Sequence, residues 1–142
     1  MKGFLKYFIL AAFCLGLFKA LFSIIPYRIG INMTESLPQK YFLVSERNRD
    51  FKVGDYIMFQ KPNKYYDKPF IKIVGGVGGD KITIEDRAYY NDNLFLGIAK
   101  KEGLRGERLT ASKIKKIKKG EYLVYAPHKD SLDSKYEEIG IV

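Results

Sequence analysis

Hydrophobic positions follow two different patterns along the chain. From Tyr7 to Phe18 no residue is charged; Lys19 follows, and a second uncharged run extends from Ala20 to Tyr27. Together these 21 residues match the length of a helix that crosses a bilayer, with Lys19 able to extend its aliphatic stem toward the headgroups. A cleavable signal peptide and an interfacial or buried helix are the rival readings. Lys2 and Lys6 form a basic region ahead of the apolar one, as in a signal peptide. No A-x-A pattern follows, however, and the apolar stretch outruns a usual signal core, so a retained single-pass anchor is favoured. Flanking charge does not orient it, because Lys2 and Lys6 are balanced by Arg28 and Lys40 on the other side.

After Pro26 the pattern changes to short strands and turns. Tyr41 to Ser45 reads as a strand, followed by a polar turn at Glu46 to Asp50. Gly54-Asp55 introduces a second strand at Tyr56 to Phe59, which Lys61-Pro62-Asn63 ends. Phe70 to Val74 is apolar except for Lys72 and runs into the glycine cluster from Gly75 to Asp80, read as a tight turn. Lys81 to Glu85 alternates with period two, and Tyr89-Tyr90, Asn91-Asp92-Asn93 and Leu94-Phe95-Leu96 read as a hairpin. Residues 100 to 112 read as an exposed loop, and Tyr122 to Ala126 as a last strand. No helical period is sustained beyond the anchor. The pattern therefore predicts a mainly β fold of small coiled antiparallel sheets preceded by one N-terminal transmembrane helix. Residues 1–31 are the anchor and a short linker, and 32–142 the folded domain.

The length of 142 residues adds an upper bound. About 110 residues outside the anchor exclude folds that need a large parallel sheet. Twenty-five Lys and Arg against 16 Asp and Glu give +9, which favours an anionic surface nearby. Five of those charges are Lys113, Lys115, Lys116, Lys118 and Lys119, read as a solvated turn, with lipid contact as the second reading and no specific nucleic acid. Cys14 is the only cysteine and lies in the apolar stretch, so neither an intrachain disulfide nor a cysteine zinc site can form. His128 is the only histidine, which excludes multi-histidine zinc chemistry. The glycine cluster fits neither the phosphate-loop nor the dinucleotide pattern.

Two places could carry chemistry. Thr34-Glu35-Ser36-Leu37-Pro38 is a hydroxyl-rich turn just past the anchor, and Lys72 is flanked by Phe70, Ile71, Ile73 and Val74. A buried lysine loses hydration, which lowers its pKa and makes a neutral amine available to deprotonate a serine. The plain alternatives are that Ser36 caps a turn and that Lys72 faces solvent, since alternation would turn Ile71 and Ile73 inward.

Four motifs in order resemble the membrane-bound type I signal peptidase superfamily, the serine-lysine peptidases. They are the T-x-S-x-P at Thr34 to Pro38, Gly54-Asp55, the FIKIVGGVGGD segment and GEYLVYAPHKDSLDSKY. The T-x-S-x-P form is most similar to the conjugative-transfer, TraF-type maturation peptidases. The resemblance implies Ser36 as nucleophile and Lys72 as general base. It implies an oxyanion hole from the Ser36 N–H and the Thr34 hydroxyl, Ser131 orienting the lysine, and Asp133 supporting the site through an ion pair. Lys135 stands at the usual arginine position, which keeps the charge and loses the bidentate fork. Ile73 replaces a usual arginine, Gly78 a proline and Lys40 a glycine, and Tyr125-Ala126-Pro127 stands where G-D-N is usual. Relatives continue into another strand beyond residues 140–142, which implies either a dispensable strand or a truncated, weakened domain.

By the same resemblance the chain is a serine endopeptidase without metal or cofactor. It would process an exported or conjugative pilin precursor with small residues at its cleavage site, alongside conjugation or type IV secretion components. Its place would be the bacterial inner membrane, N-terminus cytoplasmic and catalytic domain periplasmic. A general secretory signal peptidase and a membrane-tethered binding module of the same fold are the alternatives. A self-cleaving repressor-like relative is disfavoured by the apolar segment and the lack of a DNA-binding domain.

Overall fold

The computed structural model describes residues 2–24, 26–47, 49–61 and 67–142. The turns expected at 46–50 and 61–63 lie partly outside them. The first element is a helix, α1 (Lys2–Ile24). Its segment Phe4–Ser23 is long and apolar enough to cross a membrane, and none of its apolar window is buried. Phe4, Phe8, Phe13 and Phe18 all stay exposed. A helix that is apolar all round and touches no core can shield that surface only in lipid or against another apolar partner.

Among the described residues eight strands follow, all paired antiparallel. β1 (Tyr27–Ile31) and β2 (Tyr41–Ser45) form a two-stranded ribbon. β1 lies in the stretch expected as a linker; its Tyr and Ile positions run on directly from the apolar anchor, which hides the change of period. β3 (Tyr56–Phe59), β4 (Phe70–Val77) and β8 (Tyr122–Tyr125) form a sheet with β4 in the middle. β5 (Ile82–Glu85), β6 (Ala88–Asn91) and β7 (Leu94–Ile98) form the third.

β4 departs from the expected strand at both ends of its argument. Phe70, Ile71 and Lys72 are all buried, so alternation does not send Lys72 to solvent. A central strand covered on both faces has no solvent face to offer. Gly75 and Gly76, expected in a turn, continue the strand through an irregularity in its pairing with β8. A Cβ on Gly75 would lie 2.6 Å from Leu96 Cδ2, and one on Gly76 2.6 Å from Ile117 Cδ1. The turn is left to Gly78 and Gly79, the latter at φ +105°.

The lysine run pairs at one position before it turns at Lys119 and Gly120, where the expected solvated turn stands. Lys116 bridges Lys81, Ile117 is fully buried, and the five lysines stay exposed. Residues 100–112 form the expected, largely exposed loop, pinned where Glu102 bridges Arg108 and Ala111 bridges Tyr136.

Three clusters of buried side chains hold these pieces. One gathers Tyr89, Leu96, Ile117, Leu123 and Tyr136; another Ile57, Phe70, Val74, Val124 and Ile139; and a small third Leu37, Ile71 and Ala126. The third joins the turn after β1 to β4, and so couples the hydroxyl-rich segment to the lysine strand.

Candidate active site

The hydroxyl-rich turn between β1 and β2 is knitted by one side chain. Asn32, at the end of β1, accepts from Thr34 N at 3.3 Å and from Thr34 Oγ1 at 3.1 Å through Oδ1. Through Nδ2 it donates to the carbonyls of Leu37 at 3.2 Å and Gln39 at 3.3 Å. Its own N–H donates to Lys40 O at 2.8 Å, closing the turn. Ser36 is buried within it at 6% exposure. Its Oγ lies 2.8 Å from Thr34 Oγ1, and its N–H points at the same oxygen at 3.4 Å. Asn32 did not figure in the reading of the sequence. Its signal is an Asn two residues before a Thr at a strand end, a common Asx-turn arrangement.

β4 delivers Lys72, which stands opposite Ile57 of β3 and is 3% exposed. Its Nζ donates to Ser131 Oγ at 2.8 Å. Ser131 sits in the turn after β8, where its N–H donates to His128 O at 3.0 Å. Burial lowers the Lys72 pKa to about 8; the Asp133 charge opposes that shift and the Lys135 charge adds to it.

Thr34, Ser36, Lys72 and Ser131 line one cleft of about 410 Å³, with Glu35, Phe70, Leu104, His128, Asp130 and Leu132 completing its walls. Ser36 and Lys72 share this space without a hydrogen bond between them; the Ser36 hydroxyl is turned to Thr34 instead. His128 contributes to the wall, and its Nδ1 accepts the Asp130 N–H at 3.2 Å. A second cavity of about 300 Å³ adjoins the first across Leu104 and Ser131.

Asp133 and Lys135 lie behind the cleft and do not line it. Their ion pair is 2.7 Å long and almost wholly buried. Asp133 also accepts from Ala126 N at 3.3 Å and Lys135 N at 3.1 Å, while Lys135 Nζ donates to Leu96 O at 3.1 Å. Breaking such a pair leaves a buried charge without compensation and typically costs about 3–5 kcal/mol. The pair thus ties β7, the end of β8 and the turn carrying Ser131 into one unit. Among the described residues no cluster of His, Cys, Asp and Glu could hold a metal ion.

Chemically, the cleft offers a buried hydroxyl, a backbone N–H beside it and an amine whose proton affinity is lowered by burial. A family model described as signal peptidase, peptidase S26, matches residues 1–142. No curated protein and no solved structure matches the chain.

Proposed function

From the chain's membership of the signal peptidase, peptidase S26 family, we propose that it is a membrane-anchored serine endopeptidase acting through a Ser36–Lys72 dyad on exported precursors. The observation that carries this reading is Lys72: an amine buried on a central strand, held by Ser131 and facing the cleft that Ser36 lines. With a pKa of about 8, roughly a tenth of Lys72 is neutral at pH 7. Docked peptide excludes further water and favours the neutral form.

Neutral Lys72 takes the Ser36 proton as Oγ attacks a carbonyl presented in an extended peptide. The oxyanion is met by the Ser36 N–H and the Thr34 hydroxyl. Loss of one such donor costs about 2.7–4 kcal/mol in other serine proteases. Protonated Lys72 returns its proton to the leaving amine, and water releases the acyl group. Ser131 keeps the amine directed into the cleft, and the Asp133–Lys135 pair holds the Ser131 turn. Residues 32–142 form the peptidase domain, with the N-terminus cytoplasmic and this domain on the other side of the membrane.

The substrate class follows from the family: precursors with small residues before the scissile bond. The T-x-S-x-P form at Thr34 to Pro38 favours a narrower reading, the TraF-type conjugative branch with a pilin precursor as substrate. The family match reaches the family and not that branch.

The test is cleavage of an exported precursor bearing an Ala-x-Ala site, with the full chain reconstituted in lipid vesicles. Ser36→Ala and Lys72→Ala are each expected to lose activity by at least a thousandfold while folding and inserting normally. Near-normal cleavage by either, with host peptidase excluded, would remove the dyad. A pilin precursor run in parallel separates the two substrate readings.

A further inference from the structure

We propose that Asn32 is a positioning residue of this peptidase, whose carboxamide fixes the direction of both hydroxyl protons in the Thr34–Ser36 pair. The inference rests on the serine–lysine reading. The carboxamide cannot be turned over: a backbone N–H, that of Thr34, meets Oδ1 at 3.3 Å, and two carbonyls, of Leu37 and Gln39, meet Nδ2 at 3.2 and 3.3 Å. N–H groups only donate and carbonyls only accept, so each end of the amide is identified by its partners.

The proton directions follow. Oδ1 is an acceptor, so the 3.1 Å contact with Thr34 Oγ1 uses the one hydroxyl proton that threonine has. At the 2.8 Å contact between Thr34 and Ser36 the proton must therefore come from Ser36. The resting chain runs from Ser36 O–H to Thr34 Oγ1, and from Thr34 O–H to Asn32 Oδ1. The Ser36 N–H points at Thr34 Oγ1 too, at 3.4 Å. Nucleophile and oxyanion donors are thus stored against one another, with the Ser36 proton turned toward Thr34.

Reaction releases them in step. When the Ser36 O–H turns from Thr34 toward Lys72 Nζ and gives up its proton there, Oγ bonds to the scissile carbon and the carbonyl π pair moves onto oxygen. Thr34 Oγ1 then no longer receives the Ser36 proton, and its own O–H is free to turn from Asn32 to the new oxyanion. Asn32 can let that proton go and still hold the residue, because Oδ1 keeps the Thr34 N–H. Asn32 acts only through Thr34.

A double-mutant cycle reads this coupling: single-turnover acylation by the full chain in detergent micelles, with a fluorogenic peptide carrying an Ala-x-Ala site as probe. In the parent, Asn32→Ala is expected to lower the acylation rate on the order of tenfold with KM unchanged, because it removes the Thr34 N–H contact that persists while the hydroxyl turns to the oxyanion. In the Thr34→Val background the same substitution should cost less than about threefold, and Thr34→Ser should restore the full effect. Equal losses with and without the Thr34 hydroxyl would make Asn32 a merely structural turn residue and overturn the inference. If Asn32→Ala does not fold, Asn32→Ser takes its place in the same cycle, its hydroxyl still able to accept from the Thr34 N–H. The criterion is unchanged: a loss of equal size with and without the Thr34 hydroxyl would overturn the proposal. Ser36→Ala in the same assay separates the two levels. An active Ser36→Ala removes the dyad and this inference with it, whereas an inactive Ser36→Ala with an additive cycle removes this inference alone.

Discussion

A lysine enclosed by its strand neighbours exchanges hydration for one hydrogen bond to Ser131, and that exchange has two measurable consequences. Lys72 binds its proton less tightly in the folded chain, at about 8 against 10.5 when unfolded. Between those values the unfolded chain holds more protons, so stability rises with pH from about 8 to 10.5; below 8 the penalty is present in full. The difference corresponds to about 3 kcal/mol. Lys72→Met, which fills the same space without a charge, should therefore raise stability at pH 7 by about 1–3 kcal/mol while abolishing cleavage. Chemical denaturation at pH 7 and pH 10 checks this. A gain that does not shrink at the higher pH would mean that burial of the ammonium is not its source. The second consequence is kinetic: single-turnover acylation should rise with pH with a midpoint near 8, because the protonated amine cannot accept from Ser36. A pH dependence that disappears in His128→Ala would transfer the base to the histidine lining the same cleft. The residue types for this chemistry are legible in the sequence. The direction of Lys72 is not, because alternation along one strand carries no information about what covers its second face.

Among the elements, the short strands read from period and turn residues are where the pattern is clearest: β2, β3 and the β6–β7 hairpin, whose turn residue Asp92 sits at φ +49°. The β5–β6 turn was not anticipated. Asp86 and Arg87 both adopt positive φ there, and Arg87 holds the place with side-chain bonds to Ala99 O and Lys100 O that no local pattern announces. Gly97 in β7 shows a further non-local requirement. It sits at φ +111°, and a Cβ there would lie 3.2 Å from both Cε and Nζ of Lys135. Gly97→Ala should therefore strain the backbone and displace the buried cation, at a cost of about 2 kcal/mol or more. Thermal unfolding measures it, and a neutral substitution would show that Lys135 has room to move. Activity should fall as well, because the Asp133–Lys135 pair holds the turn that carries Ser131.

At the scale of the whole molecule, an exposed apolar helix adjoins a β domain with a strongly basic surface segment. Cys14 is the only thiol and lies in the middle of the helix, so it reports on the helix alone. In intact vesicles a water-soluble maleimide should leave Cys14 unmodified, and detergent should expose it. Rapid labelling without detergent would place the helix at the surface instead. Protease added to spheroplasts should cut the domain while intact mass retains residues 1–31. A domain protected on the cytoplasmic side, or a chain beginning near Ser23, would contradict the orientation and the retained anchor.

The sequence by itself determined the two-part organisation, the β class of the domain and the identity of the chemically capable side chains. These depend on local quantities: length of an apolar run, period of alternation, and residue type. Tertiary structure decided the burial of Lys72, the continuation of β4 through Gly75 and Gly76, the bridge from Lys116 to Lys81 and the role of Asn32 in the turn. Each of those is set by atoms far away in the chain or by hydrogen-bond partners that only the folded backbone supplies. Lys72 meets Ser131 across 59 positions. Contact at that separation is a property of strand order, with β4 between β3 and β8, and no window of sequence around either residue contains it.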